Sequence, residues 1–377
     1  MVISSLIWIV FGITIAYLFV IGIITYGWFS LSTYKGEHEN SNGVTISVVI
    51  AVRNESANIE TLLKQLVNQS YDNRYFEIIV VDDHSSDNTT QLVNQFKSDN
   101  SKMKIELVTA SGEGKKNAIR EGLATSSAQL IVTTDGDCKV VRHWLQSIVN
   151  YYVSSGFKLI LGPVVYENEK TFSQKLFSLD FASLVASGAG SSGAGLPLMG
   201  NGANLAFERG IFTAANSNTD KFASGDDVFL IHNVTRKYGA KAIGFLRSKD
   251  AIVSTLPPVN LAEFLRQRTR WASKAVGYRL VWPVIVPLTV FLFNMLLFIM
   301  LFGSLYFSWM LPIYFLIVIT KLVIDIPLVF SFLSFTEKQN LKPLLFLMEF
   351  IYPIYIVIAA IASFLFRFEW KGREKLK

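Results

Sequence analysis

Three long apolar segments constrain this chain more than any other feature, because each is long enough to cross a lipid bilayer. Residues 1–31 contain no charged side chain, residues 281–335 carry only Lys321 and Asp325, and a third segment covers 344–366. About 20 apolar residues span a bilayer core. The first and third segments therefore each predict one membrane helix, and the second predicts two. The hydrophobic content of 51% agrees with a membrane protein.

The residues beside the first segment predict how the chain is oriented. That segment lacks a basic start and a small-residue cleavage site, so we interpret it as an anchor and not as a removed signal peptide. Its first basic residue, Lys35, lies on the carboxyl side, which places the following globular region in the cytoplasm and the protein in the cell membrane. The single cysteine, Cys138, permits no internal disulfide and agrees. Four spans would put the basic tail outside, so either the last segment lies in the interface or re-enters, or the charge tendency fails there.

The net charge of +6 is modest. Basic residues cluster beside the apolar segments, a pattern that favours contact with a membrane surface over nucleic-acid binding. We expect no nucleic-acid partner. The cluster comprises Arg266, Arg268, Arg270, Lys274 and Arg279.

Composition also predicts the domain boundaries. The expected parts are an N-terminal membrane anchor (1–33), a globular domain (44–254), an interfacial helix (255–280), a membrane region of about three helices (281–366) and a basic tail (367–377).

Strand and helix patterns alternate in the globular domain. "TISVVIAVRNE", "FEIIVVDD", "MKIELVTA" and "AQLIVTTDGD" are rich in β-branched residues, and segments with helical spacing separate them. This alternation predicts an α/β domain with a mostly parallel sheet and helices on both faces. Ligands bind beyond the carboxyl ends of the strands in such sheets. Three of these ends carry polar clusters, "RNE", "DDHSSD" and "TDGDC".

The pattern changes after residue 142. The stretch "ASGAGSSGAGLPLMGNGANLAF" is dominated by small residues, and we expect it to be largely irregular. It is either a flexible loop or a backbone that approaches a ligand closely.

The pair Asp135 and Asp137 ends an apolar strand and brings two negative charges together. Two carboxylates at this spacing can share a hard divalent cation, which would also bind phosphate oxygens. Such a triplet is common in surface loops, and its position at a strand end is what makes it informative. The pattern predicts a metal–diphosphate site.

Other polar residues follow the strands. In "VDDHSSD", a carboxylate can accept hydrogen bonds from a base or ribose, or Asp87 can cap the next helix. "GEGKKN" resembles a phosphate-binding loop, but the required pattern fails at Thr109 and Lys116. Lys115 can still meet a phosphate as a point charge. Asp226 and Asp227 precede an apolar run, where either a general base or a helix cap is expected.

A helix pattern follows at "PPVNLAEFLRQRTRWASK". Gln267, Arg270 and Trp271 fall at i, i+3 and i+4 and therefore lie on one face. An arginine and a tryptophan together suit a diphosphate and a sugar ring. Spacing alone favours the alternative, an interfacial helix whose Trp and Arg lie at the level of the lipid headgroups.

Taken in order, these segments resemble the inverting family 2 glycosyltransferases with the GT-A fold. The resemblance is carried by "AVRNE", "VDDHSSD", "GKKNAI", "TDGDC", "SGDD" and "QRTRW", which cover most of residues 46–271. The last motif, Q-x-x-R-W, marks the membrane-embedded branch that includes cellulose, chitin and hyaluronan synthases and ceramide glucosyltransferase. The chain departs from the family pattern at Arg120, at G-D-D in place of T-E-D, and at Lys274.

The resemblance implies a role for each matching residue. Asp82 and Asp83 would contact the nucleotide, with Arg53 and Glu55 in the same nucleotide-sugar site. Lys115 would lie near the diphosphate.

In the D-x-D motif, Asp135 and Asp137 would hold a divalent cation (Mn or Mg), with Asp137 the firmer ligand. Asp227 would be the catalytic base. Asp226 and the Q-x-x-R-W residues Gln267, Arg270 and Trp271 would serve the acceptor and the diphosphate.

The resemblance therefore implies an enzyme that moves a sugar from a nucleotide donor, by default a UDP-sugar, to a lipid-linked or membrane-proximal hydroxyl group. A processive polysaccharide synthase is the alternative, for which an oligomer or partner subunit would help to wall a polar path. A non-catalytic nucleotide-sugar-binding membrane protein is the alternative of another class. Lys321 and Asp325, at i and i+4, predict a mutually neutralising pair or a polymer or headgroup contact.

Overall fold

The computed structural model describes residues 2–34, 43–215, 226–272, 277–278, 280–365, 368–370 and 373–375. Within them, the helices are α1 (Val2–Ser30), α2 (Ile59–Val67), α3 (Thr89–Asp99), α4 (Lys115–Thr125), α5 (Trp144–Ser155), α6 (Phe172–Gly193), α7 (Arg209–Ala215), α8 (Asp226–Tyr238), α9 (Leu261–Ala272), α10 (Trp282–Gly303), α11 (Met310–Phe335) and α12 (Leu344–Leu365). The strands are β1 (Ile46–Val52), β2 (Phe76–Asp82), β3 (Ile105–Thr109), β4 (Leu130–Asp135), β5 (Lys139–Val140), β6 (Leu159–Leu161), β7 (Val164–Tyr166), β8 (Leu205–Glu208), β9 (Ile243–Phe245), β10 (Val253–Thr255), β11 (Phe368–Trp370) and β12 (Arg373–Lys375).

A seven-stranded sheet forms the centre of the globular region, in the order β3-β2-β1-β4-β8-β6-β9. The first four strands in this order are parallel, whereas β8 runs antiparallel to β4 and β6. Strands β1 and β2 are rich in Val and Ile and are buried along almost their whole length, as strands covered on both faces require. The prediction of an α/β domain with a mostly parallel sheet is confirmed.

The register of the sheet places the polar clusters side by side. Val52 at the end of β1 pairs with Asp82 of β2, and Ala51 pairs with Asp135 of β4. A smaller sheet has the strand order β5-β10-β7, and its strand β5 follows β4 directly in the chain. In it, β10 pairs antiparallel with β5, with Ser254 opposite Lys139. This pairing brings the end of β10 beside the segment that follows Asp135.

Four helices are long and apolar enough to cross a membrane, covering Ile7–Ser30, Trp282–Gly303, Met310–Phe335 and Leu344–Ala362. The predicted number of membrane-type helices, four, is confirmed. Large apolar side chains are exposed on these helices, including Trp8, Phe19 and Leu316, as a lipid-facing surface requires.

The small-residue stretch corrects the sequence analysis, because its first half is helical and not irregular. Helix α6 continues through Gly193, and a loop (194–201) and a 3-10 turn (Gly202–Asn204) lead to β8. The glycines serve a close helix crossing: a Cβ on Gly190 would overlap the Ile24 carbonyl of α1, and one on Gly193 would overlap the Gly27 carbonyl. Small residues let two helix backbones approach in this way, and a reading of composition alone cannot distinguish such a helix from a loop.

The ion pair expected within α11 is present and belongs to a larger cluster. Lys321 Nζ lies 2.7 Å from Asp325 Oδ2 and also 2.7 Å from Glu349 Oε2 of α12. The Tyr17 hydroxyl of α1 donates to both Asp325 oxygens at 2.9 Å. One ammonium group therefore faces two carboxylates between three membrane helices.

Candidate active site

The carboxyl ends of β1 and β2 form one side of the candidate site. Asp82 and Asp83 are both buried. The Asp82 carboxylate accepts from the Ser85 amide at 3.2 Å, and Asp83 Oδ1 accepts from the Gly114 amide at 2.9 Å. Arg53 Nη1 donates to the Asp83 carbonyl at 3.1 Å. Asp83 is thus tied to the turn before α4, which carries the next charged residue of the site.

Glu55 lies on the same edge, at the start of the turn after β1. Its amide donates to Thr89 Oγ1 at 2.9 Å, and its Oε2 accepts from Asn58 at 3.1 Å. A Cβ on Gly136 would lie 3.0 Å from Glu55 Cγ. The structure therefore packs Glu55 against the D-x-D turn, beside the nucleotide-sugar residues expected from the sequence.

The two aspartates of the D-x-D motif have different surroundings. Asp135 forms an ion pair with Lys115 of α4. Asp137 accepts from Thr255 Oγ1 of β10 at 3.1 Å. Burial, together with the nearby carboxylates of Asp135 and Glu55, raises the pKa of Asp137 to about 6. The ionised form of Asp137 is therefore costly without a nearby cation.

The chemistry of this corner fits a divalent cation. Carboxylate oxygens are the ligands that Mg²⁺ and similar hard cations prefer. Among the described residues, no group of three or more His, Cys, Asp and Glu side chains is arranged to enclose a metal. Two carboxylates that leave most of the coordination shell open suit an ion that also binds a diphosphate.

Asp227 lies across the site from the D-x-D motif, at the start of α8. Its Oδ2 accepts from the Gly202 amide at 3.3 Å, and its Oδ1 accepts from the Val228 amide at 2.8 Å. A Cβ on Gly202 would lie 3.6 Å from Lys115 Nζ and 4.0 Å from Asp227 Oδ2. The Gly202 backbone is therefore close to both the ammonium group and the carboxylate. Burial lowers the pKa of Lys115, but the carboxylates of Asp135 and Asp227 more than offset it, and the net pKa is raised.

The other aspartate of this pair, Asp226, is the first residue of α8. Its side chain lies outside the described part of the chain, as do Lys274 and Arg279. The role expected for Asp226 stays a prediction.

Helix α9 carries the Q-x-x-R-W motif to the same site. Gln267 Oε1 accepts from the Tyr166 hydroxyl of β7 at 2.9 Å. Burial lowers the pKa of the Arg270 guanidinium, and the carboxylates of Asp227 and Asp135 act against this shift. Arg270 therefore lies within electrostatic range of both the expected base and the D-x-D motif.

Trp271 is partly buried, and its ring centroid lies 6.0 Å from that of Phe181 in α6. On its other side, α9 packs against the membrane helix α12, where Phe264 contacts Tyr355 at 5.6 Å between ring centroids. The helix is thus both beside the membrane helices and part of the site, which unites the two interpretations that spacing left open.

Some residues of the site were not found by sequence reasoning. Thr255 and Tyr166 belong to short strands without a distinctive pattern, and Gly202 contributes only its backbone amide. Burial and the Asp227 carboxylate raise the pKa of Tyr278 to about 12, which places this phenol near the expected base. Its position after the Q-x-x-R-W motif was the only available signal.

Comparison with known families identifies the family to which the chain belongs. The profile of the family "Glycosyl transferase family 2" matches residues 47–201, and that of "Glycosyl transferase family group 2" matches residues 130–335. The second match covers more than half of the chain. The chain belongs to the family 2 glycosyltransferases.

Curated relatives of this glycosyltransferase match over part of their length. Glycosyltransferase AglE of Haloferax volcanii is 31% identical over 132 residues, which are 34% of this chain and 43% of that protein. The poly-beta-1,6-N-acetyl-D-glucosamine synthase of Staphylococcus epidermidis is 26% identical over 157 residues, which are 40% of this chain and 35% of the synthase. The chain therefore spans less than half of the length of each of these relatives.

A solved structure matches this glycosyltransferase over almost its whole length. Mannosyltransferase PcManGT from Pyrobaculum calidifontis, solved in complex with GDP-Man and Mn²⁺, superimposes with a TM-score of 0.59 at 17% identity. The match covers 95% of this chain and 97% of the mannosyltransferase. At this identity the comparison concerns the fold, and it confirms the GT-A architecture with membrane-type helices.

Proposed function

We propose that this glycosyltransferase moves a sugar from a nucleoside diphosphate to a hydroxyl group at the membrane, with inversion at the anomeric carbon. The observation that carries the proposal is the convergence of Lys115, Asp135, Asp227 and Arg270 on one site. The two cationic side chains, Lys115 and Arg270, suit a diphosphate leaving group. The carboxylate of Asp227 suits the removal of a proton from the acceptor.

The proposed reaction is a single displacement. Asp227 accepts the proton of the acceptor hydroxyl while that oxygen bonds to the anomeric carbon, and the bond from that carbon to the diphosphate oxygen breaks. The diphosphate leaves with the electron pair. Lys115 and Arg270 stabilise the charge that develops on it. The Gly202 and Val228 amides each bind one Asp227 oxygen and so orient the carboxylate toward the acceptor.

Asp137 and Asp135 would hold a divalent cation, Mn²⁺ or Mg²⁺. Such an ion, when bound, neutralises negative charge on the diphosphate as it leaves. The raised pKa of Asp137 supports this assignment, because a cation at that position would offset the burial and the neighbouring carboxylates.

The donor nucleotide is proposed to lie over the ends of β1 and β2. Asp82, Asp83, Arg53 and Glu55 line this edge, and carboxylates there can bind a base and a ribose. UDP is the default nucleotide from the family resemblance. GDP belongs in the same test, because PcManGT is described with GDP-Man.

The acceptor is proposed to enter beside α9, with Gln267, Trp271 and Asp226 nearest to it. The packing of α9 against α12 supports a lipid-linked acceptor, since the site then faces the membrane plane. Likeness to the Staphylococcus synthases supports the second candidate, a polysaccharide synthase. The charge bias at Lys35 supports a cytoplasmic site.

The test uses the full chain, purified in detergent, with UDP- and GDP-sugars and Mn²⁺ or Mg²⁺. Metal-dependent release of one nucleotide, lost in Asp137→Ala and in Asp227→Asn, is the expected result. Asp250 is exposed and belongs to none of the motifs, and Asp250→Asn is the matched control that should keep wild-type activity. Product size then separates glycolipid from polymer. Nucleotide binding without turnover of any donor or acceptor would contradict the proposal and favour a non-catalytic binding protein.

A further inference from the structure

Arg268, one of the two residues between Gln267 and Arg270 in the Q-x-x-R-W motif, is paired with a buried carboxylate. Arg268 is 5% exposed and Asp180 of α6 is 2% exposed. Arg268 Nε lies 2.6 Å from Asp180 Oδ2, and Arg268 Nη2 lies 2.5 Å from the same oxygen. The second Asp180 oxygen accepts from the Tyr355 hydroxyl of the membrane helix α12. A single carboxylate therefore joins α6, α9 and α12.

Arg268 also contacts the two motif residues on either side of it. Its guanidinium carbon lies 4.4 Å from the Trp271 ring centroid and 4.7 Å from that of Phe264. Its Nη1 donates to Gln267 Oε1 at 3.2 Å. The Arg268 side chain therefore contacts both the Trp271 indole and the Gln267 amide, the two groups that are proposed to serve the acceptor.

Burying an arginine and an aspartate is expensive, and such a pair often adds little net stability compared with apolar residues. Its best-supported use is to select one arrangement of the elements that it joins. Here the arrangement concerns the rotation of α9, because Arg270 reaches the site only when Arg268 points toward α6.

We infer that Arg268 and Asp180, together with Tyr355, are positioning residues that fix the Q-x-x-R-W helix against membrane helix α12. The inference rests on the proposed function, and it identifies what aligns the acceptor side of that site. Nucleotide binding at the ends of β1 and β2 should not depend on this network, because in the part of the chain that the structure describes no hydrogen bond, ion pair or ring contact joins its three residues to those strands. Loss of the network should therefore separate nucleotide binding from transfer.

The experiment compares Asp180→Asn, Arg268→Gln and the double variant. Each single change leaves a buried charge without its partner and should destabilise the protein. The double variant removes both charges, and we expect it to recover the thermal midpoint. It should bind the nucleotide like the wild type, yet transfer sugar about tenfold to a hundredfold more slowly, since small misplacements of reacting groups cost rates of this order. A double variant with wild-type transfer would overturn the inference.

A second measurement does not depend on turnover. Hydrogen exchange of the α9 amides should be at least about tenfold faster in the double variant, because local opening of α9 then costs less free energy. Exchange of the α4 amides should be unchanged. Wild-type exchange in α9 would refute the positioning role whatever the activity. A wild type without any transfer, combined with faster α9 exchange in the variant, would instead count against the proposed function alone.

Two tyrosines of α12 provide a matched pair in case the charge variants do not fold. Tyr355→Phe removes the hydrogen bond to Asp180, whereas Tyr352→Phe removes a bond to Ser183 of the same helix α6 at 3.4 Å. We expect slower transfer and faster α9 exchange for Tyr355→Phe only. Equal behaviour of the two variants would contradict the inference.

Discussion

The Gly202 amide donates a hydrogen bond to Asp227 Oδ2 at 3.3 Å. Gly202 lies in the short helical turn before β8, and its carbonyl accepts from Thr133 Oγ1 of β4 at 2.7 Å. The expected base is therefore linked through the backbone of one residue to the strand that carries the D-x-D motif. The two halves of the proposed chemistry share a single backbone segment.

Asp227→Asn should abolish transfer, with a loss of at least about a thousandfold, because an amide cannot accept the acceptor proton at neutral pH. The asparagine oxygen can still accept from Gly202, so folding and nucleotide affinity should be unchanged. Initial rates and nucleotide binding measured side by side provide the check. A variant that keeps a tenth of the activity would assign the base elsewhere.

Lys115→Met should weaken binding of the nucleoside diphosphate and slow transfer by about a hundredfold, because it removes a donor aimed at the leaving group. Asp135 loses its ion-pair partner in the same variant. Lys115→Arg keeps the charge and serves as the control, with a smaller loss expected. Product inhibition by the free diphosphate nucleotide measures the effect, and equal inhibition constants in all three proteins would contradict it.

Thr255→Val should raise the metal concentration needed for half-maximal activity by about tenfold, because its hydroxyl orients Asp137 at 3.1 Å. Asp137→Asn should lose metal stimulation altogether. Manganese titration followed by paramagnetic resonance gives the affinity without turnover. The nearby Ser254, whose hydroxyl bonds to Glu167 at 2.7 Å instead, supplies the control variant Ser254→Ala.

Burial lowers the pKa of His232 to about 4 from an ordinary value near 6.5. Between these values the unfolded chain binds a proton that the folded protein does not, so stability is present above about pH 6.5 and is lost as the pH falls toward 4. The full loss corresponds to about 3 kcal/mol. His232→Leu should remove this part of the acid sensitivity in thermal unfolding at pH 7 and pH 5. The matched control changes a partly exposed histidine, His143→Gln, whose ring is bonded to Ser70.

Lys321→Met should destabilise the membrane bundle by about 3–5 kcal/mol, because it leaves Asp325 and Glu349 buried without their shared cation. Glu349→Gln should cost much less, since one lysine then faces one carboxylate. Retention of a single species after heating in detergent, followed by size exclusion, ranks the two variants. A smaller loss for Lys321→Met than for Glu349→Gln would contradict this account of the cluster.

The sequence predicted the parts of the fold whose pattern is local. Strands β1, β2 and β4 are rich in β-branched residues, and the membrane helices are long apolar runs, so both classes were recognised from composition. Asp135, Asp227 and Arg270 became candidates because each belongs to a short motif. By contrast, α6 was missed because its glycines are explained only by a partner helix distant in sequence. Asp180 and Thr255 act through contacts with residues 88 and 118 positions away, and no local pattern carries that information.

The crossing of α1 and α6 at Gly27, Gly190 and Gly193 has a consequence for protein engineering. Replacing the N-terminal helix by an unrelated anchor would keep the protein at the membrane but would put side chains where two backbones touch. Removal of the residues before β1 would instead expose the α6 backbone around Gly190 and Gly193, where no side chains cover it. A secreted or water-soluble version of this enzyme therefore requires a redesigned α6 surface, and removal of the first helix is not sufficient to make one.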